Sequence, residues 1–284
     1  MGLSSSSPWL KYYGNTPASI DYPHATMSQL VEQAAKRKPD HVAYTFMGKK
    51  TTYTQFMRRI EAAAQGLYKM GIRKGDRVTI CMANTPQALD CFYGLNRIGA
   101  IPNMIHPLSA AQEIAFYLNA SHSKAILTLD QFYYKVAEIQ SQLDEPVTIL
   151  IAKIVDELPA PLNMLYPMTK NAREVKKLPK KGYTLWYKMV EKGRKQTLPA
   201  DDGKYDECGA ILYSGGTTGT TKGIMLSNLN FNALALQTIA ASGFTMEEIS
   251  NMKMLSVMPV FHGFGLGIGI HTPLVAGGTC ILVP

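Results

Sequence analysis

An α/β fold, with parallel or mostly parallel sheets flanked by helices on both faces, is predicted by three observations. Short apolar runs of strand length alternate with amphipathic stretches of helix length along most of the chain. The 284 residues are 46% apolar and 18% charged, enough for a large core and unlike a disordered chain. Where the alternation resumes after a polar interval, a glycine- and hydroxyl-rich loop at 213–223 sits between two of the apolar runs.

Taken in order, His41 to Phe46 and Lys50 to Tyr53 read as a hairpin around Gly48. Thr54 is the expected cap of a helix whose apolar residues recur at Phe56, Ile60, Ala63, Ala64 and Leu67, and which ends at Met70-Gly71-Ile72. A buried strand follows at Arg77 to Met82, a helix at Pro86 to Arg97, a strand at Ile101 to Ile105 and a helix at Ala110 to Ala120. Strand Lys124 to Thr128, helix Gln131 to Leu143 and strand Val147 to Ala152 continue the series. Strands separated by helices of this length imply a parallel sheet covered on both sides. From 156 to 206 the pattern lapses into Pro, Lys and Gly, with an amphipathic interlude at Tyr183 to Val190, and reads as a connecting excursion. Order returns with strand Cys208 to Tyr213, the loop, strand Gly223 to Leu226 and helix Ser227 to Ala241. Strand Lys253 to Met258, a helix near Gly265 to Leu274 and strand Thr279 to Val283 complete the series. The expected divisions are an N-terminal extension (1–22), a first α/β subdomain (23–155), the basic excursion (156–206) and an incomplete phosphate-loop subdomain (207–284).

The formal charge of +8 is concentrated between Met168 and Lys195, where ten Lys and Arg face only Glu174 and Glu191. Most such segments are solvated loops. A sharper reading has Lys176, Lys177, Lys180 and Lys181, with Trp186 and Tyr187 nearby, touching anionic lipid or an acidic carrier. No nucleic-acid reader motif accompanies the charge, so no nucleic-acid partner is expected. Cys81, Cys91, Cys208 and Cys280 lack C-x-x-C spacing and sit in apolar runs, as reduced, packed thiols do. Met254 to Pro284 carries no charge, but Pro259, His262, His271, Pro273 and repeated glycines break it into shorter elements, so no transmembrane segment is expected. With no signal peptide after Met1-Gly2-Leu3, a soluble, cytoplasmic protein is the expectation. His106 and His271 read as core or edge histidines.

The stretch Tyr213-Ser214-Gly215-Gly216-Thr217-Thr218-Gly219-Thr220-Thr221-Lys222-Gly223 suits a polyanion. Glycines let backbone amides converge at unusual torsions, Ser and Thr add hydroxyl donors, and Lys222 adds a mobile positive charge. A Walker loop is excluded because Thr221 precedes the lysine and Gly223 follows it. A short strand follows as well, where a Walker loop opens into a helix.

These residues resemble the phosphate loop of the adenylate-forming enzymes, a family that includes acyl-CoA synthetases, aryl-CoA ligases, luciferases and peptide-synthetase adenylation domains. Thr221 stands where that family usually has proline. Further fragments are similar in order and spacing from Thr52 onward: Gly71-Ile72-Arg73-Lys74-Gly75-Asp76-Arg77-Val78, Asn84, Gly99-Ala100-Ile101-Pro102, and His106-Pro107-Leu108-Ser109, the last most like the acyl-CoA synthetase branch. Met258-Pro259-Val260-Phe261-His262-Gly263-Phe264-Gly265 resembles the motif that lies beside the bound carboxylate. A strand ending at Pro259 would present Phe261 and His262 at the carboxyl edge of a parallel sheet, where ligands bind in such folds.

The resemblance implies two αβα-type subdomains of an adenylate-forming N-terminal domain, truncated, and a reaction of carboxylic acid, ATP and coenzyme A through an acyl-adenylate. It implies nucleotide contacts from Ser214, Gly215, Gly216, Thr217, Thr218, Gly219, Thr220, Lys222 and Gly223, with Ser214 also a Mg²⁺ ligand. Phe261, His262 and Gly263 are the implied substrate-binding residues, and His262 the catalytic one. Family members are longer, and the adenine, ribose and acidic metal segments and the C-terminal domain with its lysine would lie beyond Pro284. The chain is therefore expected to be an N-terminal part with little or no activity of its own. The alternatives are a non-catalytic nucleotide-binding module and an adenylation domain that loads a carrier protein.

Overall fold

The computed structural model describes residues 7–214 and 221–284. Helix α1 (Met27–Arg37), which the periodicity did not single out, begins at Thr26, where a capping box forms: the Thr26 hydroxyl accepts from Gln29 N and Gln29 Oε1 accepts from Thr26 N. Strands β1 (Val42–Phe46) and β2 (Lys49–Thr52) form the expected hairpin, turning at Met47 and Gly48, both at positive φ. Helix α2 (Tyr53–Lys69) is capped by Thr52 with Gln55, not by Thr54, whose hydroxyl donates to Pro39 O instead. Thr54 lies inside the helix, with its backbone amide also donating to Pro39 O.

Strand β3 (Arg77–Cys81), helix α3 (Pro86–Arg97), strand β4 (Ile101–Met104), helix α4 (Ala111–Ser121) and strand β5 (Ser123–Leu129) follow the sequence reading closely. The helix expected at 131–143 is broken into 3-10 turns on either side of α5 (Tyr133–Ala137). Its buried residues Tyr133, Val136 and Ile139 recur every three positions, the period of a 3-10 turn. After β6 (Thr148–Ala152) come short helices α6 (Leu162–Leu165) and α7 (Lys170–Glu174), strand β7 (Thr184–Leu185) and helix α8 (Trp186–Gly193). The excursion is thus not only a connection: β7 extends the sheet beside β6, and α8 packs on α2. A Cβ on Gly193 would stand 2.3 Å from Gly66 Cα, so two glycines let these helices touch at the backbone. The chain continues through β8 (Cys208–Ser214), β9 (Lys222–Ser227), α9 (Asn228–Ala241), α10 (Met246–Ser250), β10 (Lys253–Ser256), a π-helical segment Gly265–His271, α11 (Thr272–Ala276) and β11 (Thr279–Leu282).

The strands pair in two sheets, β7-β6-β5-β3-β4-β8-β9 and β10-β11-β1-β2. All neighbours are parallel except the hairpins β8/β9 and β1/β2. Both faces of the large sheet are covered, as alternate residues show. Ala125, Leu127, Leu150 and Leu212 join the core shared with α2, α3 and α8, whereas Ile126, Ile149 and Ile151 join the one shared with α4 and α5. The sheets do not follow the expected division at 206/207. β8 and β9 complete the large sheet, and the early hairpin β1–β2 pairs with the late strand β11.

Candidate functional site

β4 and β8 are parallel neighbours, so the ends of β3, β4 and β8 open on one edge of the large sheet. Asn84 follows β3 there, His106 follows β4, and Ser214 closes β8. This is the carboxyl edge at which ligands collect in parallel α/β sheets.

The β8–β9 hairpin is fixed on both sides of residues 215–220. Ser214 stands opposite Lys222 and Tyr213 opposite Gly223 in the antiparallel ladder. Paired residues share a face and neighbours alternate, so Ser214 and Lys222 point to the side that carries Leu212, and Tyr213 points to the other. Tyr213 is anchored there by its ring, 4.3 Å from that of Tyr117, with its hydroxyl donating to Tyr117 O at 3.5 Å. Burial pushes the Tyr213 phenol up to about 12, so it stays a neutral anchor. A Cβ on Gly223 would meet the Tyr213 ring at 3.2 Å, which explains a glycine beside the lysine. Lys222 is exposed and Ser214 half-buried. Gly215, Gly216, Thr217, Thr218, Gly219 and Thr220 lie outside the described residues.

The second motif is held by a residue that the sequence reading noted only as a resemblance. Asn84 is buried; its Nδ2 donates to Ser256 O (2.9 Å) and Met258 O (3.0 Å), and its Oδ1 accepts from Val260 N (2.8 Å). Three bonds from one amide fix the backbone that leads into Phe261 and His262. The turn then closes tightly: His262 N donates to Pro259 O and Leu266 N to His262 O. A Cβ on Gly265 would lie 2.0 Å from Pro259 O, so only glycine fits. Gly263 stands over β8, its would-be Cβ 3.5 Å from Leu212 Cδ1. Leu212 shares its face with Ser214 and Lys222, and the structure therefore brings the two motifs together on one side of the sheet. Phe261 is buried, and His262 and Gly263 are exposed.

Of the two histidines expected in the core or at an edge, His106 is at the edge, just after β4. It is exposed, its ring 4.4 Å from that of Phe261, which in turn lies 4.9 Å from the ring of His262. Its Nδ1 accepts from Leu108 N at 2.9 Å, which assigns the proton to Nε2. Partial burial and the nearby His262 lower its pKa, favouring the neutral ring. A polar side chain directly after a strand was the available signal. His271, by contrast, is a core residue. Its Nε2 donates to Asn232 Oδ1 and its Nδ1 accepts from the Tyr93 hydroxyl, while burial lowers its pKa to about 3.

As a Mg²⁺ ligand Ser214 is insufficient alone. One neutral hydroxyl is not the six-oxygen shell that the ion demands, and among the described residues no group of three His, Cys, Asp or Glu could hold a metal. Larger cavities, of about 700 Å³ beside Tyr12 and Tyr22 and about 540 Å³ between α2 and α8, lie away from the hairpin. A cleft of about 250 Å³ lined by Phe116, Tyr213 and Gly223 adjoins it, but on the face opposite Ser214 and Lys222.

The arrangement is a hairpin with an exposed lysine beside an aromatic and imidazole turn. The model of the family described as AMP-binding enzyme matches residues 31–284. A long-chain-fatty-acid–CoA ligase of Bacillus subtilis (strain 168) is 31% identical across 99% of this chain and 50% of its own length. A 4-coumarate–CoA ligase of Arabidopsis thaliana is 28% identical over 83% of the chain and 37% of its own length. In three dimensions, an anthranilate CoA ligase solved with anthranoyl-AMP superposes with a TM-score of 0.75 at 18% identity, covering 92% of this chain and 45% of that one. A long-chain-fatty-acid–CoA ligase from Archaeoglobus fulgidus gives 0.72 at 20% identity over 93% of this chain and 48% of that one. Likeness at such identities establishes the adenylate-forming N-terminal fold. The chain spans about half the length of the long-chain ligases it matches, and it belongs to the AMP-binding enzyme family.

Proposed function

We propose that this chain is the N-terminal part of an ATP-dependent acyl-CoA ligase acting on a fatty acid. A carboxylate oxygen attacks the α-phosphorus of ATP, the bond to pyrophosphate breaks, and an acyl-adenylate forms. The thiol of coenzyme A then attacks the acyl carbon, displacing AMP and losing its proton. The observation that carries this reading is the shared face: Ser214 and Lys222 flank the loop on the side where Gly263 meets Leu212.

On that face Lys222 offsets the charge of the departing pyrophosphate and Ser214 donates to a phosphate oxygen; the family resemblance gives the same role to Thr217 and Thr218. Groups aimed at developing charge need no reorganisation during reaction, and losing one costs about a hundredfold in rate. Phe261 bounds the acid's site, and His262 donates to its carboxylate or swings aside for the thiol. Mg²⁺ would neutralise phosphate charge, with Ser214 as one of its oxygen ligands.

Calorimetric titration with ATP tests the nucleotide part. The chain is expected to bind ATP, and Lys222→Ala to weaken binding about tenfold, the worth of one charge-assisted contact. ATP binding that Lys222→Ala leaves unchanged would overturn the role given to the hairpin. With a long-chain fatty acid, only trace ATP–pyrophosphate exchange is expected from the 284-residue chain, and exchange at the rate of a complete ligase would overturn the fragment reading alone.

A further inference from the structure

The lysine-rich excursion is joined to an apolar surface that its sequence did not reveal. Trp186 is buried, 6% exposed, in the core beneath α8, so it cannot serve an external partner. The exposed apolar side chains lie earlier, on α6 and the turn after it: Leu162 is 40%, Leu165 51%, Met168 66% and Met164 74% exposed. Four large apolar residues within seven positions, all turned to water, are costly unless something covers them.

Directly after them come Lys170, Arg173, Lys176, Lys177, Lys180 and Lys181, all exposed, against the single acid Glu174. The two parts are held together. Tyr166 is packed against the main core, and it lines a cleft of about 380 Å³ with Val175, Lys176, Lys177, Leu178 and Tyr183. Thr169 caps α7 by accepting from Ala172 N, and the Tyr134 hydroxyl donates to Lys177 O at 2.7 Å, with Lys176 Nζ 5.5 Å from the same ring. The segment is thus an anchored ledge with an apolar tip and a cationic flank.

We propose that this ledge is a docking surface for a lipid bilayer carrying anionic headgroups, with Met164, Leu165 and Met168 entering the acyl boundary and the lysines meeting phosphates. Charge complementarity selects that partner over a neutral one, and the apolar tip selects a bilayer over a purely acidic protein. No helix among the described residues is long and apolar enough to cross a membrane, and the contact proposed for the ledge is a peripheral one.

Vesicle sedimentation tests it, using phosphatidylcholine vesicles with and without phosphatidylglycerol. The chain is expected to bind the anionic vesicles and to dissociate as salt rises. Replacing Lys176, Lys177, Lys180 and Lys181 together by Gln should weaken binding at least about tenfold. Met164→Ser with Met168→Ser should weaken it about tenfold at every salt concentration. Both variants alter exposed side chains only, and unchanged urea midpoints would show that they remain folded. No binding to anionic vesicles, or equal binding to pure phosphatidylcholine, would overturn the proposal. So would undiminished binding by the methionine variant, which points to an acidic protein. Self-association without vesicles that the methionine variant abolishes would assign the surface to a second copy instead.

Discussion

Removing the amide of Asn84 leaves the buried Val260 N without its acceptor and takes one donor each from Met258 O and from Ser256 O, which also accepts from Val283 N. Asn84→Ala is therefore expected to destabilise the chain by about 2–4 kcal/mol, read as a lower urea midpoint at unchanged slope. It should also weaken protection of the Val260 amide from hydrogen exchange; intact protection would show that the turn holds itself. Asn84→Asp keeps the acceptor for Val260 N but sets a carboxylate against two carbonyls, and should be no better than Ala. The two histidines flanking this region show what sequence could not tell. His106 and His271 both stand in apolar surroundings in the chain, yet one lies beside Phe261 in the open site and the other is enclosed by Tyr93, Phe231 and Asn232. Type and neighbours were the same kind of signal for both; only the fold decides which of them water reaches.

Among the elements, the π-helical segment Gly265–His271 shapes the site through a single glycine. Gly265→Ala puts a methyl 2.0 Å from Pro259 O and 2.6 Å from Met258 O. Neither is a flexible side-chain end, so the turn must open, at an expected cost of about 3 kcal/mol in a urea titration. Hydrogen exchange should rise at His262 and Leu266, whose amides close the turn. The α2–α8 contact makes an independent case. Gly66→Ala meets Met189 Sδ at 2.3 Å and Met189 O at 2.9 Å, and is expected to lower the melting temperature by several degrees while leaving ATP binding unchanged. Element type was largely readable, because period and length are local. Capping at Thr52 over Thr54, the broken α5 region and the packing role of α8 were not, since each depends on which partner arrives from elsewhere in the chain.

For the molecule as a whole, acid stability should carry the signature of His271. Its unfolded pKa is near 6.5 and its folded value about 3, because burial disfavours the charged ring. The unfolded chain then binds more protons below pH 6.5, so stability is complete above that pH and falls as pH drops toward 3. At pH 5 the loss attributable to this ring is about 2 kcal/mol. Asp90, whose pKa burial raises to about 6 despite its ion pair with Arg59, works in the opposite sense. The comparison with His271→Gln isolates the histidine: the variant should be less stable at pH 7.5 and lose about 2 kcal/mol less than the natural chain on going to pH 5. Parallel pH profiles for the two would exclude this origin.

By itself the sequence determined the class of fold, the order of most elements and the two motifs, because hydrophobic period, glycine torsions and hydroxyl chemistry are written over a few adjacent residues. The tertiary structure alone decided that β1 pairs with β11 across more than two hundred residues, that Asn84 and Gly265 set the second motif, and that Leu212 brings that motif onto the face of Ser214 and Lys222. Strand partners and burial are properties of contacts between distant segments, and such contacts leave no period in the chain for a local reading to find.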